Sequence, residues 1–302
     1  MKVTDLGPDK AVTIFSTVKI TREHPTQALT PVDLENHISQ AVWKFYNDCR
    51  SEAAERLGKS EMDLIMTDAR VVGVKIDGHQ VINPSGFTGR ELEVKLCISM
   101  AGEKTGEGVP VEGGSIRAHM LASGEDIKNG YYIEIDENQS HIFSINDERI
   151  AHLNSFPWGR KNIDRATREK LDLDSETAYL IYAQYANGRV SEKMDRFLGK
   201  AFWGSFGEFI NALLMNIRNE GALKLKEIPP VYIRASFTLP EQVFHKRYSL
   251  GKKSVSLKKM SDKLDIEGFL EDGIHGIYED LNELAKRRIK WATPSGGSNK
   301  GA

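Results

Sequence analysis

The sequence predicts a mixed α/β protein, because two different hydrophobic periods alternate along its 302 residues. Residues 90–100 alternate apolar and polar side chains, and this period of two indicates a strand with one buried face. Residues 31–57 instead repeat apolar side chains at helical spacing: Leu34, Ile38, Val42, Phe45, Cys49, Ala53 and Leu57. A chain of this length can bury a sizeable core in two or three subdomains.

Four elements are predicted in the first hundred residues: a strand at 11–20, a helix from 31 to 57, a strand at 62–76 with a bend near Asp68, and a strand at 90–100. Thr30 is a good N-cap, and Pro31 suits the first helical position. Gly58 is expected to end the helix. The loop at 83–89 is rich in turn formers.

Glycine and proline dominate residues 101–114, which we interpret as an exposed loop or linker. The predicted boundaries are therefore a first subdomain at 1–101, a glycine-rich connection at 102–129, a second domain at 130–292 and a flexible tail at 293–302. The stretch Gly102-Glu103-Lys104-Thr105 lacks the glycine spacing of a phosphate-binding loop, so it does not indicate one.

The second half has a different order of elements. The pattern predicts three strands at 131–136, 140–145 and 149–156, helices at 159–171, from 173 onward and at 191–220, a strand at 231–233 and a last helix at 264–291. Lys252, Lys253, Lys258 and Lys259 lie on an alternating stretch and are typical of a solvated strand edge. This is a three-strand meander followed by helices and a further strand.

Composition and charge exclude several classes of protein. The 41 Lys and Arg residues balance 43 Asp and Glu residues, so no general nucleic-acid binding is expected. No apolar run approaches the ~20 residues needed to span a bilayer, and no signal peptide is apparent. Cys49 and Cys97 lie in apolar patterns, which indicates reduced core residues. We expect a cytoplasmic protein whose contact with the inner face of the cell membrane is at most peripheral.

Seven residues in the first subdomain follow one another in a recognisable order. An Asp-Gly turn precedes a Pro-x-Gly-x-x-Gly loop and a strand that begins Leu-Glu; the residues are Asp77, Gly78, Pro84, Gly86, Gly89, Leu92 and Glu93. This order resembles the SHS2 subdomain of FtsA, an actin-like protein of bacterial cell division. The meander, helices and strand of the second half are similar to the second half of the same fold.

The resemblance implies an actin-like (ribonuclease H-like) fold of the FtsA/PilM group with an SHS2-type strand-helix-strand-strand subdomain. In that family a first phosphate hairpin precedes the SHS2 subdomain, and this sequence begins almost at the subdomain. We therefore expect a fold that lacks this hairpin, in a chain that is either degenerate or truncated at its N-terminus.

The nucleotide motifs of the family are damaged. Asp136 and Ser140 are what remains of the second phosphate hairpin, but its glycines are replaced by Glu137, Asn138 and Gln139. Glycine is needed there because main-chain N–H groups must reach phosphate oxygens. The adenosine turn is expected to carry a Gly-Gly pair, and this sequence has residues 234–237, Arg-Ala-Ser-Phe, instead.

We therefore expect no ATP hydrolysis, no catalytic residue and no cofactor, with a divergent ATPase that binds ATP and magnesium as the alternative. The histidines and cysteines show no metal-ligand spacing.

The function implied by the resemblance is a non-catalytic scaffold in cell division that acts through protein–protein contacts, including self-association. The alternative within the group is a PilM-like pilus assembly protein that binds the tail of a membrane protein. FtsA-like proteins also end in an amphipathic membrane helix, so Arg287, Arg288, Lys290 and Trp291 are candidates for membrane contact. Packing of this helix on its own domain is the competing interpretation, since basic residues suit any helix C-terminus.

Overall fold

The computed structural model describes residues 2–103, 108–146, 149–219, 227–260, 264–271 and 277–292, the side chains of 250 and 288–292 excepted. These residues form a mixed α/β structure, as the sequence predicts. The chain divides into two compact units. Unit 1 contains Met1–Asp126, Asp147–His152 and Leu264–Ala302, and unit 2 contains Ile127–Asn146 and Leu153–Lys263.

The described elements follow the predicted order for most of the chain. The strands are β1 (Val3–Leu6), β2 (Ala11–Thr21), β3 (Ile65–Ile76), β4 (His79–Gln80), β5 (Glu91–Ala101), β6 (Val109–Glu112), β7 (Asn129–Ile135), β8 (Ser140–Asn146), β9 (Arg149–Phe156), β10 (Val231–Ala235), β11 (Arg247–Leu250) and β12 (Lys253–Lys259). The helices are α1 (Pro31–Leu57), α2 (Gly113–Gly124), α3 (Arg160–Leu171), α4 (Ser175–Ala186), α5 (Glu192–Asn219), α6 (Gln242–His245), α7 (Ile266–Gly268) and α8 (Glu279–Ala292).

Unit 1 is built on β5, which pairs antiparallel with β2 on one side and β3 on the other. Its apolar face packs against α1 and α8, and Phe45, Leu96 and Leu281 belong to one buried cluster. Strands β1 and β6 form a separate parallel pair. The bend predicted near Asp68 coincides with a shift of register between Met66 and Asp68. Strand, helix, strand and strand thus follow in the predicted order.

Helix α1 begins and ends where the sequence indicates. Thr30 accepts a hydrogen bond from the Asp33 N–H, and the Asp33 side chain accepts one from the Thr30 N–H, which is a capping box. Gly58 adopts a left-handed conformation (φ +59°) and closes the last turn. Both ends of this helix are therefore specified locally.

The outer edge of β3 is covered by a distant part of the chain. The Val71 N–H donates to Asn282 Oδ1 of α8 at 2.7 Å, and Asn282 is fully buried. The buried guanidinium of Arg70 contacts the Leu270 carbonyl and pairs with Asp68 at 2.5 Å. An uncovered strand edge is a template for aggregation, so these contacts protect the sheet.

Unit 2 has the strand order β11-β12-β10-β7-β8, and the part of β9 from Leu153 onward follows β8. β7 and β8 are antiparallel, whereas β10 runs parallel to both β7 and β12. This is the meander with added parallel strands that the ribonuclease H-like prediction requires. Helices α3, α4 and α5 enclose an aromatic core that includes Trp158, Tyr182, Phe202, Phe206 and Phe209.

The predicted linker at 102–129 is wrong for its described part, because residues 109–112 form β6 and residues 113–124 form α2. Gly113 and Gly114 are buried rather than exposed. A Cβ at Gly113 would collide with the Asp5 carboxylate, and one at Gly108 would collide with Thr4. The glycines therefore permit a close approach to β1, a role that the sequence alone does not distinguish from flexibility.

The lysine-rich stretch and the C-terminal helix differ from their predictions. Lys258 and Lys259 belong to β12, which has a neighbour on each side and is not an edge strand. The described part of the last predicted helix is shorter than expected, since α8 begins at Glu279. The predicted flexible tail at 293–302 lies outside the described residues.

Candidate functional site

The turn between β7 and β8 brings together the two predicted remnants of the nucleotide site, and both already have protein partners. The Asp136 N–H donates to the Gln139 carbonyl at 2.9 Å, which closes the turn. The Asp136 carboxylate is 56% exposed and lies 3.4 Å from His141 Nε2. Ser140 is fully buried, and its hydroxyl donates to the Trp158 carbonyl at 2.7 Å. The Ser140 hydroxyl therefore already has a buried main-chain partner within unit 2.

The N-terminus of α3 contacts the same turn. The Arg160 N–H donates to the Asp136 carbonyl at 3.0 Å, and the Lys161 N–H donates to the Glu137 carbonyl at 2.9 Å. Free N–H groups at a helix N-terminus are a common anion-binding feature, but these two bind carbonyl oxygens of the turn. A Cβ at Gly159 would lie 2.5 Å from the Asp136 oxygen, so the two segments touch through their main chains.

Electrostatics at this turn also disfavour a phosphate. The Glu137 carboxylate pairs with the Arg160 guanidinium at 2.6 Å, and this hydrogen bond raises the pKa of Arg160. Burial raises the pKa of the neighbouring Asp164 carboxyl, although the Arg160 charge opposes that change. An incoming phosphate would have to displace the Glu137 carboxylate from the Arg160 guanidinium. The sequence alone indicated only that Glu137 places a negative charge where the family binds phosphate.

The segment after β10 is filled by side chains where the family resemblance implies a glycine pair. The Ser236 N–H donates to the Ile135 carbonyl at 2.9 Å, and Phe237 and Leu239 are buried in the core of unit 2. The Tyr182 hydroxyl donates to the Thr238 carbonyl at 2.8 Å. A cavity of about 410 Å³ remains beside this segment, lined in part by Tyr179 and Lys259.

A buried carboxylate in β7 was not found by the sequence analysis. Glu134 accepts a hydrogen bond from the Tyr132 hydroxyl at 2.5 Å and lies 3.4 Å from the Arg234 guanidinium. Glu134 follows Tyr132 by two residues on the same strand, so their side chains lie on one face of the sheet. This spacing is the only indication of the contact in the sequence.

In the first subdomain, the predicted motif residues shape one loop. Asp77 and Gly78 both have positive φ (+48° and +82°). The Asp77 carboxylate accepts hydrogen bonds from the N–H groups of Glu91 at 2.8 Å and Arg90 at 3.0 Å. A Cβ at Gly89 would collide with Ile76. Asp77 therefore fastens the end of the loop to the turn between β3 and β4.

The remaining motif residues hold the same loop against the start of α1. The Gly86 N–H donates to the Leu29 carbonyl at 2.8 Å, and the Leu29 N–H donates to the Phe87 carbonyl at 2.9 Å. Pro84 and Leu92 are buried, whereas Glu93 pairs with Lys19 at 3.6 Å. In this chain the motif residues support the loop, and the large apolar side chains that the loop exposes include Ile82 and Phe87.

A buried ion pair lies at the start of α2, in the stretch that the sequence analysis assigned to a linker. Glu112 is fully buried and accepts hydrogen bonds from the Thr13 N–H and the Ser115 hydroxyl, both at 3.0 Å. Its other oxygen pairs with the guanidinium of Arg56. Every partner lies within unit 1, so these contacts join β2, α1 and α2.

His119 of α2 is buried beside aromatic side chains. Its ring stacks on Phe15 at 4.2 Å and meets Phe269 edge-on at 5.9 Å. Its Nδ1 has no hydrogen-bond partner within the described part of the chain. Burial lowers the pKa of His119 to about 3, and the positive charge of Lys95 acts in the same direction. The imidazole is therefore neutral at physiological pH.

No other cluster in the described residues suggests metal or thiol chemistry. They contain no group of three His, Cys, Asp or Glu side chains that could hold a metal ion. Cys49 and Cys97 are buried free thiols, as the sequence indicates; burial raises the pKa of Cys49 to about 11 and also raises that of Cys97.

The C-terminal basic residues were candidates for membrane contact. Arg287 is exposed and lies 3.7 Å from the Glu35 carboxylate. The side chains of Arg288, Lys290 and Trp291 lie outside the described part of the structure, although the backbone of α8 extends through them. Across the described ranges, no helix combines the length and the apolar character that crossing a membrane requires.

No protein-family model matches the sequence, and no curated protein matches it. Solved structures similar to this chain include the PilM–PilN type IV pilus biogenesis complex, at 13% identity and a TM-score of 0.45 over 92% of this chain and 77% of that chain. The ethanolamine utilization protein EutJ from Carboxydothermus hydrogenoformans is similar at 16% identity and a TM-score of 0.36, over 58% of this chain and 55% of EutJ. An archaeal actin homologue, Ta0583, is similar at 11% identity and a TM-score of 0.37, over 93% and 92% of the two chains.

Proposed function

We propose that this chain is a non-catalytic, FtsA-like scaffold of the actin-like fold, which acts in cell division through protein–protein contacts. The observation that carries the proposal is the contact between α3 and the turn after β7. The N–H groups of Arg160 and Lys161 bind the carbonyls of Asp136 and Glu137, so the N-terminus of α3 does not offer these two donors to a phosphate at the turn.

Two further features support the loss of nucleotide chemistry. Glu137 places a carboxylate on the turn, and Phe237 fills the position expected to be an open glycine turn. Catalysis of phosphoryl transfer depends on positioned donors and a metal around the phosphates. Binding surfaces do not need that machinery, so a chain without it can still serve as a scaffold.

The direct test is a titration with fluorescent ATP and magnesium, followed by anisotropy. We expect no saturable binding, and a dissociation constant of roughly micromolar would overturn the proposal in favour of a divergent ATPase. A variant with glycine at 137, 138 and 139 serves as the comparison. We expect it to remain without affinity, because Phe237 still fills the position of the adenosine turn and the α3 N–H groups still bind the turn carbonyls.

The cell-division role rests on the SHS2-like motif, and a PilM-like role in pilus assembly is the alternative. Pull-down with purified tubulin-like division protein, with tails of late division proteins and with tails of pilus membrane proteins separates the two roles. Recovery of the division set supports the proposal, and recovery of the pilus set replaces it with the alternative. Recovery of neither set counts against a scaffold of this group.

A further inference from the structure

An open groove in unit 1 is lined by apolar side chains that face solvent. It occupies about 850 Å³ between the first turn of α1, the loop after β4 and the first turns of α8. Val32 is 68% exposed, Ile82 is 64% exposed and Ile277 is 51% exposed. Single exposed hydrophobic residues need no explanation, but three on the walls of one groove mark a surface for interaction.

The walls of this groove are held in place before any ligand binds. The capping box of Thr30 and Asp33 fixes the start of α1. The Tyr278 hydroxyl lies 3.2 Å from Gln80 Nε2, which joins the start of α8 to β4. Leu281 and Leu284 pack into the core of unit 1 behind the groove. A pre-organised surface loses little conformational entropy on binding, which favours affinity.

The rim of the groove is acidic. Among the described residues that line it, the carboxylates are those of Glu35, Glu279, Asp280 and Glu283, and Arg287 is the cation. Arg287 lies 3.7 Å from Glu35, and Glu283 pairs with Lys286 at 3.5 Å. The helix dipole accounts for acidic residues in the first turn of α8, but not for exposed apolar side chains beside them.

We infer that this groove binds a short basic, amphipathic segment of a partner protein, whose large apolar residues contact Val32, Ile82 and Ile277 and whose Lys or Arg residues face the rim. The inference rests on the proposed scaffold function and specifies the chemistry of the partner. Apolar contact supplies the affinity, and complementary charge selects the partner and its orientation.

The test is a selection of random 12-residue peptides displayed on phage against the whole chain, with binding measured on the synthesised winners. We expect the winners to carry a net positive charge and at least two large apolar residues. Ile82→Asp should weaken their binding at least roughly tenfold, because a carboxylate would be desolvated in the groove. Leu180→Asp is the matched control in unit 2, since Leu180 is 58% exposed and should leave binding unchanged.

Charge is tested separately with the double variant Glu279→Lys and Asp280→Lys. This variant should bind the selected peptides more weakly than the wild type does. Winners without positive charge, equal binding to Ile82→Asp, or no enriched peptide would each overturn the inference. So would concentration-dependent dimers that Ile82→Asp abolishes, since the occupant would then be a second copy. Thermal unfolding verifies that each variant is folded. Micromolar ATP binding would refute the scaffold proposal without changing the selected peptides, so the two failures are distinguishable.

Discussion

His119 should make unit 1 sensitive to mild acid, and His119→Phe should remove that sensitivity. The ring lies in an apolar site between Phe15 and Phe269, and its pKa is lowered from 6.5 to about 3. Between these two values the unfolded chain binds a proton at this position that the folded chain does not. Folding stability therefore falls as the pH falls through this window.

The size of the effect follows from the two pKa values. Between pH 6.5 and 3 the slope is about 1.4 kcal/mol per pH unit for one proton, so the accumulated loss at pH 4.5 is on the order of 3 kcal/mol. Phenylalanine keeps the aromatic contacts of His119 and cannot be protonated. His119→Phe should thus lose less free energy of unfolding than the wild type between pH 7.5 and pH 4.5, by an amount on the order of 3 kcal/mol.

Urea unfolding at pH 7.5 and pH 4.5, followed by circular dichroism, measures this difference. The control is His24→Gln, because His24 is exposed in unit 1 and its replacement should leave the wild-type loss unchanged. If the wild type and His119→Phe lose the same free energy of unfolding between the two pH values, the imidazole is not held neutral by burial and the reasoning fails.

Two further predictions concern close contacts. Gly159→Ala should destabilise the protein by about 1–3 kcal/mol in urea unfolding, since its Cβ would meet main-chain atoms of the turn at Asp136. Gly204→Ala, at an open helical position, should instead stabilise by up to about 1 kcal/mol, and the same sign for both would contradict the steric argument. Asn282→Leu should cost about 1–3 kcal/mol in the same measurement, because it leaves the buried N–H of Val71 without its acceptor, and an unchanged free energy of unfolding would contradict that role.

Much of the fold could be predicted because its signals are local. The caps of α1 are specified within four residues at each end, and the alternation in β5 identifies its buried face without any tertiary information. The meander of unit 2 was also predicted, but the full strand order was not, since the lysines of β12 were assigned to a strand edge and β12 has a neighbour on each side.

The remaining features depend on contacts between distant residues. Gly113 lies in a stretch with the composition of a linker, and its steric role becomes visible only when Asp5 is beside it. At the candidate nucleotide site, the sequence showed that Glu137 replaces a glycine. It could not show that the N–H groups of α3 bind the turn carbonyls, because the amino-acid composition does not reveal hydrogen bonds between main-chain groups.

The contact between Asn282 and Val71 has a consequence for biosynthesis. The two residues are 211 positions apart, and protein synthesis at 5–20 residues per second separates their appearance by roughly 10–40 s. Throughout that interval β3 of the nascent chain lacks its contact with Asn282 of α8. We expect folding of unit 1 to finish only after α8 has been synthesised, and chaperones that bind exposed strands to have their main opportunity before then.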